Sequence, residues 1–379
     1  MGNGKNIRDI PRLSPLPSGE TQQSSVSDPQ RILFIRPSAL GDVCRSVGVV
    51  TALNRRFPNA KIDWLVQKSF VQAIEHHPGV HRVIPFDRTT LGKQIKKGKL
   101  KPIREWLRTL RQSEYDLVID AQGLARSGFF AWCSRAPRRV GYRDAQELSW
   151  MFLNERVDAP RTMHTVDRMM RLADALDADA THPDLRLHTD PDDLSQVIVE
   201  YPDRYAVIAP TSRWAAKCWP IERYTQLAKK LVEHPHLDRV IIVGGPGERL
   251  QCAPLLELAE DHPKIVDRVG STSISQLMAV ISRSKLVIAN DSAALHMAVG
   301  FDRPLVALLG PTDPSLVGPY RRDADVIRHV RDDDDFDFKK PESVEMMERI
   351  TLDEVIDACD QRLVTPLISA HEKAAPSGG

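Results

Sequence analysis

The chain has 379 residues, 42% of them hydrophobic and 27% charged, which suits two globular domains and excludes a wholly disordered or fibrous protein. Its 52 Lys and Arg nearly cancel its 51 Asp and Glu, so no global field favours nucleic acid and no nucleic-acid partner is expected. The five cysteines Cys44, Cys133, Cys218, Cys252 and Cys359 are scattered and form no C-x-x-C pair, which argues against a disulfide framework or a zinc ribbon.

Residues 1–29 carry four prolines among many Ser and Gln and read as a flexible leader, without the apolar core of a signal peptide. No run approaches the ~18 apolar residues of a membrane span, so a cytoplasmic protein is expected. Order is expected from Arg31-Ile-Leu-Phe-Ile-Arg36, a run that suits a buried parallel strand. The turn Pro37–Asp42 follows, and then a helix over Val43–Phe57 with Val43, Val47, Val50, Leu53 and Phe57 at helical spacing. Strands are predicted at Ile62–Val66, Arg82–Phe86 and Asp116–Asp120, with room for crossover helices between them.

A polar Asp- and Pro-rich stretch near Pro183–Pro202 reads as a linker, and beyond it the alternation resumes. Strands are expected at Tyr205–Ala209, Arg239–Val243, Lys285–Ala289 and Pro304–Leu308. Helices are expected at Ile221–His234, Gly247–Asp261 and Ser273–Ser282. The division is a first domain over 30–190, a second over 203–350, a closing helix over 351–365 and a flexible tail over 366–379. Two doubly wound parallel sheets joined in this way imply a cleft, with ligands beyond the carboxyl ends of the strands.

Four loops and one helix carry candidate chemistry. In Ser38-Ala-Leu-Gly-Asp42, Gly41 lets the chain turn after a strand and Asp42 stands at a helix N-terminus. Capping alone would explain an Asp there; the functional reading is a carboxylate facing the cleft, kept ionised and able to accept a proton. In Thr211-Ser-Arg-Trp-Ala-Ala-Lys217, Thr211 and Ser212 offer hydroxyl donors and Lys217 a cation free of nearby acidic residues. At about 4 Å from a phosphate oxygen such a lysine is worth ~4 kcal/mol at an effective dielectric near 20. In Asn290-Asp-Ser-Ala-Ala-Leu-His296, Asp291 ends a strand and Ser292 opens a helix whose free N–H groups suit phosphate, with capping as the plain alternative. His296 lies one turn on, where a histidine is more often packed than catalytic.

Gly244-Gly-Pro-Gly-Glu248 is a tight turn near a ligand, but Leu250 breaks the dinucleotide fingerprint, which disfavours a nicotinamide dehydrogenase. The Asp-x-Asp triplets fall in polar stretches and no metal is assigned. Between Lys93 and Arg111 stand eight basic residues and one acid, Glu105. With Leu100, Ile103, Leu107 and Leu110 on one face, the second half reads as a basic amphipathic helix, either a solvated face or a contact for an anionic membrane surface.

Taken together, Pro37–Asp42, Asp120-Ala-Gln-Gly-Leu-Ala-Arg-Ser127, Thr211–Pro220, Asn290–His296 and Gly310-Pro-Thr-Asp-Pro314 resemble glycosyltransferase family 9, the ADP-heptose–lipopolysaccharide heptosyltransferases. The Asp-Ala-Gln-Gly-Leu stretch is most similar to heptosyltransferase I, which adds the first heptose to a Kdo sugar on lipid A. The resemblance implies a GT-B fold, acceptor on the first Rossmann-like domain and nucleotide sugar on the second, and inverting, metal-independent transfer without a cofactor. It implies Asp42 as catalytic base, and donor contacts from Thr211, Ser212, Lys217, Asp291, Ser292, Ala293 and His296. Ala293 stands where the family often has Gly. Acceptor contacts are expected from Ser38, Gly41, Gln122 and Arg126, and the location at the inner face of the cytoplasmic membrane. A same-fold transferase with another nucleotide-sugar donor and a non-catalytic nucleotide-sugar-binding protein are the alternatives.

Overall fold

The structure, a computed structural model, describes residues 27–202 and 204–364, so almost all of the expected leader and the expected tail lie outside the described residues. The first half contains strands β1 (Arg31–Ile35), β2 (Lys61–Gln67), β3 (Arg82–Phe86), β4 (Leu117–Asp120), β5 (Arg138–Tyr142) and β6 (Glu155–Val157). The second contains β7 (Tyr205–Ala209), β8 (Arg239–Ile242), β9 (Ile265–Asp267), β10 (Leu286–Asn290), β11 (Leu305–Leu308) and β12 (Val326–Ile327). All pairings are parallel. The orders are β3-β2-β1-β4-β5-β6 and β9-β8-β7-β10-β11-β12, so both sheets reverse direction at the same relative place, between their first and fourth strands.

Strand sequences explain why both faces of each sheet are covered. Along β1, Ile32 and Phe34 enter one apolar cluster while Leu33 and Ile35 enter another. Along β7 and β10, Tyr205, Val207, Val287 and Ala289 join the first cluster, whereas Ala206, Ile208, Leu286 and Ile288 face a third. The inner faces of the two sheets therefore share one continuous core. Helices such as Val47–Arg56, Thr165–Asp174, Ile274–Arg283 and Ala293–Gly300 contribute to it.

Several expectations need correcting. The helix expected over Val43–Phe57 starts earlier and is two helices, Leu40–Arg45 and Val47–Arg56, which meet at Ser46. Ser46 donates its hydroxyl proton to the Val43 carbonyl at 2.9 Å, a local bond that competes with regular helix at that point. The Asp- and Pro-rich linker contains a helix, Pro191–Glu200, which packs on Ile274–Arg283 and so goes with the second half. Asp190 caps it by accepting from the N–H groups of Asp192 and Asp193 at 2.7 and 3.2 Å. Strands β5, β6, β9 and β12 gave no usable pattern: β5 reads Arg-Arg-Val-Gly-Tyr, and the others have two or three residues.

Candidate active site

The reversal of strand order opens a crevice at the carboxyl ends of β1 and β4 in one sheet and of β7 and β10 in the other; three of the four loops found in the sequence issue there, and the fourth, Gly244–Glu248, follows the adjoining β8. A cavity of about 460 Å³, within the size range of small-ligand sites, is lined from both halves. Ala39, Leu40 and Gly41 come from the first half; Thr211, Ser212, Lys217, Gly244, Asp291, Ser292 and Ala293 come from the second.

The second half supplies a charged floor. Lys217 Nζ lies 2.6 Å from Asp291 Oδ2, so the lysine is not free of acidic neighbours as its loop sequence suggested. Separation of 74 residues in the chain hid the pair. Thr312 donates its hydroxyl proton to the same oxygen at 2.8 Å. Burial pushes the Asp291 carboxyl towards its neutral form, but Lys217, with His296 and Thr312, outweighs it and holds the pKa below its ordinary value. The Lys217 ammonium also sits 4.6 Å above the Phe338 ring. Both hydroxyls expected to face a ligand are engaged: Thr211 donates to Glu248 at 2.6 Å and Ser212 to the Asp291 carbonyl at 3.0 Å. Ser292 differs, since its buried hydroxyl has no partner among the described residues and the residue lines the cavity. It is the N-cap of the helix Ala293–Gly300 but makes no side-chain cap bond. Asn290 is structural: it accepts from the Trp219 N–H and the Tyr224 hydroxyl and donates to the Pro210 carbonyl, tying the β7 loop to β10.

The first half supplies the carboxylate. Asp42 occupies the third position of the helix Leu40–Arg45, not its cap, and accepts from the Ala39 N–H at 3.2 Å. Arg36 Nη2 stands 2.8 Å from Asp42 Oδ2, and Arg45 pairs with Oδ1. Burial opposes ionisation, yet the two guanidiniums and the Ala39 N–H hold the Asp42 pKa far below the usual carboxylate range. Arg45 also donates to the Val317 carbonyl of the second half at 3.1 Å. His296 does not line the cavity. Its imidazole lies beneath Gly41, where a Cβ would come 2.7 Å from Cδ2, and burial above all lowers its pKa to about 3.

Among the residues expected to meet the acceptor, the Ser38 N–H donates to Gln122 Oε1 at 3.2 Å, joining the loops after β1 and β4. Asp120 holds the second loop from within, accepting from the N–H groups of Gln122 and Gly123 and from the Ser127 hydroxyl. Arg126 rests 5.5 Å above the Phe86 ring, and burial with the neighbouring Arg88 lowers its pKa. Neither arginine has an ion-pair partner among the described residues. Sequence reading missed Arg36, Arg45, Glu248, Thr312 and Phe338. Arg36 directly follows β1 and could have been found as a cation at a strand's carboxyl end, and Arg45 as an i,i+3 partner of Asp42 on one helix; the others depend on contacts distant in the chain. Of the basic block, Ile103 and Leu107 pack on the core and Leu110 is buried, while Leu100 is exposed, contrary to the expected face.

Two Rossmann-like halves facing a cation-bearing cavity are the architecture of the GT-B class. A model described as glycosyltransferase family 9 (heptosyltransferase) matches residues 103–347, and the chain belongs to that family. Lipopolysaccharide core heptosyltransferase OpsX of Haemophilus influenzae is 26% identical over 83% of this chain and 89% of its own length. Lipopolysaccharide heptosyltransferase 1 of Escherichia coli K12 is 29% identical over 80% of this chain and 94% of its own. The solved structure of Escherichia coli heptosyltransferase WaaC with ADP aligns with a TM-score of 0.71 and 25% identity, covering 88% of this chain and 99% of that one.

Proposed function

We propose that the enzyme moves a heptose from ADP-heptose to a Kdo-lipid A-type acceptor in lipopolysaccharide core synthesis, by inversion and without metal. The observation that carries the reading is the cavity lined by Ala39, Leu40 and Gly41, the residues leading into Asp42, from one side and by Lys217, Asp291 and the Ser292 helix end from the other, with Asp42 itself just behind that wall. Relatives named for lipopolysaccharide heptose transfer, and a similar structure holding ADP, support the donor and the pathway.

In this reading the diphosphate lies against Lys217 and the N-terminus of Ala293–Gly300, which stabilise the charge it gains on leaving. The Ser292 hydroxyl, without a partner among the described residues, would donate to it, and Asp291 would accept from a sugar hydroxyl. The bond from the anomeric carbon to the diphosphate oxygen breaks with its electron pair going to ADP. The acceptor hydroxyl bonds to that carbon from the opposite face, and its proton passes to Asp42. A carboxylate made weakly basic by Arg36 and Arg45 suffices, because the attacking oxygen becomes strongly acidic only as its new bond forms. Arg88 and Arg126, neither in a contact ion pair among the described residues although Glu147 lies within electrostatic reach of Arg126, suit an anionic acceptor. That acceptor is lipid-linked, so the enzyme meets it at the cytoplasmic membrane, with the Lys93–Arg111 region towards the bilayer.

Asp42→Asn tests the assignment. ADP-heptose affinity by calorimetry should be retained while turnover falls about 10²–10⁴-fold, the usual worth of general base catalysis. Turnover within a few-fold of the parent would remove Asp42 from the mechanism. Melting-temperature shifts over a panel of nucleotide sugars test the donor, since only a ligand of the folded state raises them.

A further inference from the structure

Among the described residues the exposed large apolar side chains are not scattered evenly. Five of them stand on two adjoining elements: Phe129 and Trp132 on the helix Ala125–Cys133, and Trp150 and Met151 on the turn Ser149–Phe152 with Leu148 as its cap. Trp132, Leu148 and Met151 are 56%, 60% and 63% exposed. The two elements are in close contact: a Cβ on Gly128 would come 2.9 Å from the Ser149 carbonyl oxygen. Phe129 and Trp132 each lie within 6.4 Å of the Phe152 ring, so the rings form one surface. Contiguous exposure of this kind marks an interaction site, whereas single exposed apolar residues do not.

The flank of this patch is cationic. The helix Lys101–Gln112 packs on Ala125–Cys133 through Trp106, whose ring centre is 4.9 Å from that of Phe130. Its exposed residues Lys101, Arg104, Arg108 and Arg111 recur at helical spacing on one face, with Glu105 as the acid among them. Arg111, at the end of the stripe, lies near Cys133, the residue after Trp132, and the contact between the two helices sets the stripe beside the patch. On the other side Arg156 stacks 4.9 Å from the Trp150 ring. Glu147, the acid nearest in sequence, accepts from the Ala125 N–H at 3.2 Å.

We propose that this patch and its basic flank are a membrane-docking surface, with Trp132, Trp150, Met151 and Leu148 entering the headgroup region of an anionic bilayer. Tryptophan and cationic side chains side by side match that boundary, where one end of the ring is apolar and the other wet. A second copy of the chain fits less well. A two-fold contact through the patch would bring two cationic stripes together, whereas anionic headgroups neutralise them. The inference deepens the reading of a lipid-linked acceptor. Arg126, on the acceptor side, opens the same helix that carries Phe129 and Trp132, so docking there would present the acceptor's headgroup to the cleft.

The test uses the full chain with vesicles of phosphatidylcholine alone and with phosphatidylglycerol added. Co-sedimentation is expected with the anionic vesicles and weak with the neutral ones, with a blue shift of tryptophan fluorescence on binding. Trp132→Ala/Trp150→Ala/Met151→Ser should cut the vesicle affinity about tenfold or more and abolish the shift, while the melting temperature is kept. Lys101→Gln/Arg104→Gln/Arg108→Gln should cut it by a similar factor and remove its salt dependence. No binding of the parent chain at low salt, or unchanged binding by the folded apolar variant, would overturn the proposal. So would a parent dimer in light scattering that the apolar variant turns into a monomer. Transfer to a water-soluble, acyl-free acceptor is measured alongside. The apolar variant should retain it, and its absence in the parent would count against the proposed reaction without touching the docking surface.

Discussion

Asp42 is surrounded by more positive than negative charge, and that balance sets its chemistry. Burial alone would raise its pKa, but Arg36 and Arg45 reverse the sign and keep it ionised far below the usual carboxylate range. As pH falls, proton uptake at Asp42 should therefore leave kcat/KM unaffected through the mildly acidic range. Arg36→Gln removes one attraction while burial persists, so the acid limb should move up by about one pH unit or more. A pH–rate profile of the variant that overlays that of the parent would show that Asp42 does not set the limb. The motif Ser38–Asp42 exposed the carboxylate to sequence reading, whereas the depth of its ionisation depends on Arg36 at a strand end and Arg45 one helical turn on.

At the level of elements, the helices Leu40–Arg45 and Ala293–Gly300 carry the two sides of the cavity and pack directly on each other. Gly41 permits this, because its missing Cβ leaves room for the His296 ring. Gly41→Ala should cost about 1–3 kcal/mol as an overpacked contact, read as a lower melting temperature together with slower turnover. His296→Ala in the same chain should relieve part of that loss, so the double variant should be more stable than the sum of the two changes predicts. Strict additivity would mean that the two residues do not meet. The glycine was legible as a turn former; its partner 255 positions later was not.

Across the whole molecule, the halves are joined by more than a linker. The inner faces of both sheets enter one apolar cluster, and polar contacts run alongside it. Thr165 donates to the Leu316 carbonyl at 2.9 Å and Tyr320 to Asp167. Calorimetry should therefore show one cooperative unfolding transition rather than two, with calorimetric and van't Hoff enthalpies in agreement. Two resolved transitions would contradict a shared core. Acid should weaken that transition. His77 and His296 are buried, with pKa lowered mainly by burial to about 4 and about 3. Between those values and about 6.5 the unfolded chain binds protons that the folded chain does not, so stability falls as pH falls, by up to about 1.4 kcal/mol per pH unit for each group. His77→Gln should flatten the slope of melting temperature against pH over that range, and an unchanged slope would exclude His77 as a source.

Local pattern alone determined the alternation of apolar runs and helices, the two parallel sheets and the loops that would line a site. Each of those features is encoded within one strand or turn, by spacing and by Gly, Pro and hydroxyl residues. Tertiary structure alone decided that Lys217 faces Asp291, that two arginines restrain Asp42, that Pro191–Glu200 is a helix and that an aromatic patch adjoins the basic helix. Lys217 meets Asp291 across 74 residues, and even the arginines near Asp42 in the chain reach it only once strand and helix have set their directions, because burial and charge act through space rather than along the chain.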